Sequence, residues 1–293
     1  MPTFLGTLTL DEQQSASIEE QGAALLKTQT DVIFQGTEVP ISKHTVPEVV
    51  VPSRTTRKII TNQAVVLENA AHGYVQPNIL DVKLGVRLWA DDAPIEKQRR
   101  FNQVTEETTH KDLGFRIAGM RVWQGHGAKG DDIDGEGFKI YDKNYGRFAL
   151  QNENVHEAFK EFIFVESAGI DKELGQLVAQ AFLTDLERIQ EVVEGQESQM
   201  FSASLLFVFE GDGVALRAAM EEASKSPATL VNGDDPNPDD ESLDSEIDAG
   251  PKIYSVKVID FAHAQWTPGR GPDENSLIGI RSVAKILRDL GRA

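Results

Sequence analysis

The sequence predicts an α+β protein rather than a doubly wound sheet. Three observations carry this: strand-like runs come first and mixed elements after them, the strands are scattered among helical segments instead of alternating with them, and no internal repeat is visible. The strand candidates are Ala64 to Glu68, Ile79 to Leu84, Phe115 to Trp123, Leu205 to Phe209 and Ile253 to Phe261. Each is short, β-branched or aromatic, and closed by Gly, Asn or Asp. The longest helix is expected from about Lys172 to Glu194, where Leu174, Leu177, Val178, Ala181, Phe182, Leu186, Ile189 and Val193 keep one apolar face and Gly195 supplies a stop. A second helix, turning Val155, Phe159, Phe162 and Ile163 inward, precedes it. A third closes the chain with Ile278, Val283, Ile286, Leu287 and Leu290 on its buried side.

The 293 residues are 40% hydrophobic, enough for one large core or two modest ones, so a two-lobed domain is the natural expectation. No window approaches the roughly 18 apolar residues of a membrane helix, and the start, MPTFLGTLTLDEQQ, lacks the basic stretch and apolar run of a signal peptide. A soluble intracellular protein is expected. Without cysteine there is no disulfide framework, thiolate metal site or cysteine nucleophile, so any metal must sit on oxygen or imidazole. The net charge of -18 argues against a nucleic-acid binder, because phosphate backbones need a basic face. Much of that charge is local: residues 224 to 252 combine Pro, Gly, Ser and a run of acids with almost no large apolar residue, the composition of a disordered acidic insertion. Residues 35 to 60, rich in Pro, Thr and charge, read as a second long loop.

Four segments carry candidate chemistry. Gly125 to Gly130 fits G-x-G-x-x-G formally, but it runs into an acidic, turn-rich stretch instead of opening a helix, so it reads as an ordinary loop. In Pro77-Asn-Ile-Leu-Asp81-Val-Lys83-Leu-Gly85, a strand would put Asp81 and Lys83 on one face and Leu80, Val82 and Leu84 on the other. A carboxylate and an ammonium held on a rigid strand suit phosphoryl transfer, which needs positioning and positive charge; the plainer alternative is an ion pair at a sheet edge. Asp260 ends the apolar run Val256-Lys-Val-Ile, a placement for a magnesium ligand or for a simple turn former. His263 follows it, as a site residue or a satisfied core histidine. Lys97-Gln-Arg-Arg100, with Arg116 and Arg121, could form a polyphosphate pocket or a solvated helix face.

Taken together these segments resemble the inositol polyphosphate kinases. Pro77, Asp81, Lys83 and Gly85 match the family's PxxxDxKxG signature, Ser202-Ala-Ser-Leu-Leu its SSLL segment, and Ile259-Asp-Phe its IDF motif, in the family's order and spacing. Leu113 to Arg121, Asn144 to Arg147 and Thr267 to Asn275 are similar to the fungal multikinases in particular. The resemblance implies a two-lobed fold related to protein kinases, with an antiparallel N-lobe sheet, an α+β C-lobe, and ATP between them. On that reading residues 1 to 70 form a partial N-lobe and hinge, and residues 71 to 293 the C-lobe, with an inositol phosphate-binding segment at about 86 to 125. Glu68 and Ala70 would hold adenine through backbone groups and Leu206 would floor it. Asp260 would bind Mg²⁺ with ATP. Lys83 would stabilise the transferred phosphoryl and contact substrate, and Asp81 would orient either the attacking hydroxyl or the ATP ribose. Lys97, Arg100, Arg121 and His263 would grip the inositol phosphates.

The short connection from Val86 to Asp112 favours a multikinase acting on the 6- and 3-hydroxyls of inositol trisphosphate and tetrakisphosphate, with an inositol hexakisphosphate kinase as the nearest alternative. Nuclear and cytoplasmic residence follows from the same resemblance. Two departures stand out. Ala203 replaces the first serine of SSLL, and the family's strand and helix bearing the ATP-phosphate lysine and its acidic partner would precede MPTFLG, with Lys27 too late for that lysine. An incomplete N-lobe sheet is therefore expected. The competing class is a noncatalytic interaction protein that binds basic partners such as transcription factors.

Overall fold

The computed structural model describes residues 1–9, 63–225 and 252–292, in two compact units. Lys27, the 35 to 60 loop and all but the ends of the acidic insertion lie outside the described residues. In the first unit, β1 (Phe4–Thr9) pairs antiparallel with β2 (Gln63–Leu67). Phe4, Leu5, Leu8, Val65 and Leu67 are exposed on this ribbon.

The second unit is built on a five-stranded antiparallel sheet. Its strands are β3 (Pro77–Leu84), β4 (Phe115–Trp123), β5 (Phe138–Tyr141), β7 (Ser204–Glu210) and β8 (Tyr254–Ile259), in the spatial order β5-β4-β3-β7-β8. A short pair, β6 (Ser198–Met200) with β9 (Ala264–Trp266), lies outside it. Three helices supply the core against one face: α3 (Val155–Ile163), α4 (Lys172–Glu194) and α6 (Glu274–Leu290). Two others, α1 (Ile95–Glu106) and the four-residue α2 (His110–Leu113), fill the β3–β4 connection, and α5 (Gly213–Lys225) follows β7. Among the described residues no helix is long and apolar enough to cross a membrane.

The core is aromatic at its centre. Phe182 of α4 is fully buried, with Phe207 and Phe209 of β7 edge-on to it at ring distances of 5.2 and 5.9 Å. Phe182→Ala should therefore cost about 3–5 kcal/mol, read as a lower urea midpoint with unchanged slope. A cost under about 1 kcal/mol would mean that the cluster does not hold the helix to the sheet.

Helix α4 spans the expected residues, capped by the Asp171 carboxylate, which accepts from Leu174 N at 3.0 Å. Its buried face is rotated slightly from expectation: Leu177 is exposed and Ala179 is buried. Likewise Ile278 of α6 is exposed, while Leu277, Ile280 and Ala284 face inward. Both helices pack on two neighbours at once, so their apolar stripes are wider than one row of periodic positions. The expected insertion also begins later than 224, because Ser224 and Lys225 finish α5 and Lys225 pairs with Glu221 one turn back.

Strand β4 departs from regular pairing beside Asp81, where Gly119 and Ile117 oppose Asp81 and Val82 and leave Ala118 extra. A single π-helical turn, Tyr145–Ala149, lies against the strand there. Gly146 allows that approach, since a Cβ would fall 1.9 Å from the Ile117 carbonyl oxygen.

Candidate functional site

The alternation of β3 separates core from chemistry. Leu80, Val82 and Leu84 are buried, and Asp81 and Lys83 lie on the opposite face, as the sequence pattern requires. Pairing sets two rows across the sheet. Arg116, Lys83, Ser204 and Ile259 form one; Gly119, Asp81, Leu206 and Lys257 form the other. Leu206 is thus the apolar neighbour of Asp81, and Asp260 leaves β8 at the end of the Lys83 row.

The Lys83 ammonium meets three acceptors: Asp260 Oδ2 at 2.9 Å, the Ser202 carbonyl at 3.0 Å and Ser204 Oγ at 3.1 Å. An ammonium has three protons, so this set satisfies it. Ser204 is the SSLL serine that keeps its hydroxyl on the site. Ala203, where the motif departs, is fully buried in the core and gives its carbonyl to Leu84 N at 2.8 Å, so the replaced hydroxyl would have pointed away from the chemistry.

Asp81 sits deeper. Burial raises its carboxyl above the ordinary value; the Ser204 hydroxyl and the Lys83 charge pull it partly back, and the Asp260 charge pushes it up again. Its Oδ1 is buried without a partner. A carboxylate with unfilled hydrogen-bond capacity and raised proton affinity is suited to receive a proton from a bound hydroxyl.

Arg116, which its sequence context marked only weakly, lies directly across from Lys83. Burial, and then the nearby Arg147 guanidinium, push its proton affinity down, while Asp81 supports the charge. The Nε groups of both arginines are buried without partners. The two guanidinium groups thus lie close enough for Arg147 to disfavour the Arg116 charge, a condition that an anion would relieve. His110, fully buried behind them, is held neutral with a pKa of about 3, by burial first and the Arg116 charge second.

The expected substrate grips divide. Lys97 of α1 and His263 come together, Nζ to Nε2 at 3.3 Å, although 166 positions separate them. An ammonium can only donate, so Nε2 must be the acceptor. Arg100 on α1 is exposed, its guanidinium 5.2 Å from the Phe101 ring, and is not drawn into the Lys83 group. Arg121 has local partners instead. It stacks on Phe138 at 3.4 Å and pairs with Glu136 and, at 3.7 Å, Asp134 on the β4–β5 loop. In register it faces Ile79, four residues along β3 from Lys83. Those local acids compete directly for its charge. The loop itself, from Gln124 to Gly137, holds turns and no helix, as expected for an accidental glycine pattern.

For the expected hinge, the Glu68 N–H donates to the Thr3 carbonyl at 2.9 Å and its carboxylate accepts from Thr3 Oγ1 at 2.9 Å. These bonds tie down the strand end. Ala70 lies in the turn that follows, where Ala71 N bonds Asn69 Oδ1.

Asn275 entered the sequence reading only as the end of a resembling stretch, with no role of its own. Its Oδ1 accepts from the Val86 and Arg87 N–H groups at 2.9 and 2.8 Å, and its Nδ2 donates to the Arg87 carbonyl at 3.0 Å. This clamp fixes the chain just after Lys83. It also explains the signature glycine: Gly85 has φ +99°, and a Cβ there would lie 2.5 Å from Asn275 Nδ2.

Among the described residues no three His, Cys, Asp or Glu side chains cluster as a metal site. Asp260 is half-exposed and Asp81 has an unpartnered oxygen nearby. One or two carboxylates suit a divalent ion that takes its remaining ligands from nucleotide phosphates and water, not a resident metal.

A sequence profile described as inositol polyphosphate kinase matches residues 64–288. The chain is 31% identical to the inositol polyphosphate multikinase of Saccharomyces cerevisiae, covering 98% of this chain and 81% of that one. It is 29% identical to inositol hexakisphosphate kinase 1 of Rattus norvegicus, over 76% of this chain and 51% of that one, so it spans about half the length of that relative. Among solved structures, the inositol phosphate multikinase of S. cerevisiae in complex with ADP and Mn²⁺ is similar with a TM-score of 0.59 and 29% identity, over 78% of this chain and 83% of that one.

Proposed function

The chain belongs to the inositol polyphosphate kinase family, and from that premise we propose that it transfers the terminal phosphoryl group of ATP to inositol trisphosphate and tetrakisphosphate, at the 6- and 3-hydroxyls. The observation that carries this reading is the placement of Asp81, Lys83 and Asp260 on one face, with the Lys83 ammonium 2.9 Å from Asp260. Phosphoryl transfer needs little covalent help from a protein; it needs reactants held in line and charge neutralised.

Each residue has a part in that. Asp81 receives the proton of the acceptor hydroxyl, a task its raised proton affinity favours. Lys83 neutralises charge on the transferred group. Asp260 would hold Mg²⁺ with ATP, and the ion would supply charge to shield the phosphates. Lys97, His263 and Arg116 grip substrate phosphates. The β3–β4 connection, with the 12-residue α1 and the four-residue α2, is small, which favours a multikinase that accepts more than one inositol phosphate. Residence in nucleus and cytoplasm belongs to the same reading and is checked by imaging, while binding of basic protein partners belongs to the competing noncatalytic reading and is checked by co-purification.

The deciding experiment is turnover with Mg·ATP and each inositol phosphate, products identified by position. Alongside it, Mg·ATP should raise the melting temperature, because a ligand of the native state at a hundred times its Kd stabilises by about 2.7 kcal/mol. No turnover and no thermal shift at millimolar Mg·ATP would refute the kinase reading and leave a noncatalytic interaction protein.

A further inference from the structure

Among the described residues, two that are not glycine hold a left-handed backbone: Ser202 at φ 59° and Asp260 at φ 68°. Each such conformation costs on the order of 1–2 kcal/mol, and persists only where the surroundings impose it. Both residues bond the same atom, Lys83 Nζ, Asp260 through its carboxylate and Ser202 through its main-chain carbonyl.

The surroundings of Ser202 explain how its kink is imposed. Phe201 before it is buried against the Arg87 guanidinium, 4.8 Å from ring to charge, and its N–H donates to the His263 carbonyl at 3.3 Å. Ala203 after it is fully buried and bonded to Leu84. Ser202 thus turns between two buried neighbours whose main chains are each bonded to another segment. The Ser202 hydroxyl locks the turn by donating to the Leu88 carbonyl at 2.8 Å. Leu88 lies on the segment clamped by Asn275, so one network ties the exit of β3, the entry of β7 and the His263 turn around a single ammonium.

We propose that Ser202 is a positioning residue for phosphoryl transfer: its left-handed backbone, locked onto Leu88 by its hydroxyl, aims its carbonyl at Lys83 Nζ and fixes where that ammonium meets the transferred group. The proposal rests on the kinase reading, in which Lys83 acts on the phosphoryl. Of the three acceptors on Nζ, Ser202 and Ser204 are neutral and belong to the rigid sheet entry. They hold the nitrogen in place, while the proton facing Asp260 is the one a phosphoryl oxygen can take. Ser202 touches no substrate itself.

The backbone and hydroxyl contributions separate by substitution. Ser202→Gly keeps the left-handed turn at no cost but removes the lock, and Ser202→Thr keeps a hydroxyl on a β-branched residue that resists positive φ. Ser202→Asn tolerates the conformation and carries a donor. One readout is the ¹H–¹⁵N correlation signal of the Lys83 ammonium, assigned by its loss in Lys83→Met. It should be sharp in the parent at low temperature and broadened beyond detection in the Gly and Thr variants. The second readout is kinetic: kcat should fall about tenfold or more in both variants with KM for ATP within twofold, the expected effect of loosening one hydrogen bond to a charged group. Ser202→Asn should restore most of the loss. An unchanged ammonium signal and kcat in the Gly and Thr variants would overturn the proposal, as would a loss that only tracks the folded fraction in thermal melts. If the parent chain shows no turnover, the kinase reading fails, and the ammonium signal alone still decides for or against the Ser202 cradle.

Discussion

Asp260→Asn is expected to lower kcat by about a hundredfold or more while the melting temperature of the ligand-free protein stays within about a degree or two. Metal binding and positioning carry most of the barrier reduction in phosphoryl transfer, and this substitution removes the carboxylate charge that would hold the metal. The fold should tolerate it for two reasons. Asp260 has φ 68°, and asparagine is among the few residues that adopt a left-handed backbone readily, so no strain is added. Its ion pair with Lys83 involves a carboxylate that is 54% exposed, and pairs of that kind contribute little to stability. The thermal shift given by Mg·ATP should shrink with activity. Turnover within a few-fold of the parent would remove Asp260 from the metal role.

Asp81→Asn should lower kcat by about a hundredfold to ten-thousandfold, the range for loss of a positioned base, with KM for ATP little changed. A rise in KM for ATP with kcat nearly intact would instead assign Asp81 to the ribose. Stability should move the other way. Burial raises the Asp81 carboxyl above its ordinary 3.8, so between that value and its native one the folded protein binds more protons than the unfolded chain. Stability from this group is therefore present at low pH and lost as pH rises through that window. At neutral pH the buried carboxylate costs stability, and the neutral asparagine avoids that cost. The variant should melt at or above the parent at pH 7, the difference closing as pH falls to about 3.8 and below. A lower melting temperature at pH 7 would show that the charge is compensated better than its buried, unpartnered Oδ1 implies.

Much of the fold was legible because its signals are local. The alternation in Pro77 to Gly85 separates core from site within nine residues, and the apolar period from Lys172 to Glu194 marks a helix by itself. Helix α5 was missed although Gly213 to Lys225 is rich in good helix formers, since it runs into the acidic segment and has only a narrow buried face. Strand β5 was missed because Phe138 to Tyr141 is four residues long, too short for a period to register. The short pair β6 and β9 exists only through its partner: Trp266 and its neighbours are exposed, and nothing in three residues announces a strand.

The sequence by itself determined the family, through motifs that the family profile also matches. Asp81 and Lys83, two residues apart on the unbulged β3, share a face by residue count alone, whereas Asp260 meets Lys83 only because β8 pairs beside β7. Tertiary structure alone decided how the cations are allotted. Arg121 shares the face of Lys83 yet is taken by Glu136 and Asp134, while Lys97 reaches His263 from a helix far away in the chain. Neither outcome follows from residue type, because a charge goes to whichever partner the fold brings within a few ångströms, and Coulomb attraction depends on that distance rather than on separation in sequence. The same holds for Ser202 and Asp260, whose left-handed backbones nothing in their residue types announces and which meet at one shared ammonium only in the folded chain.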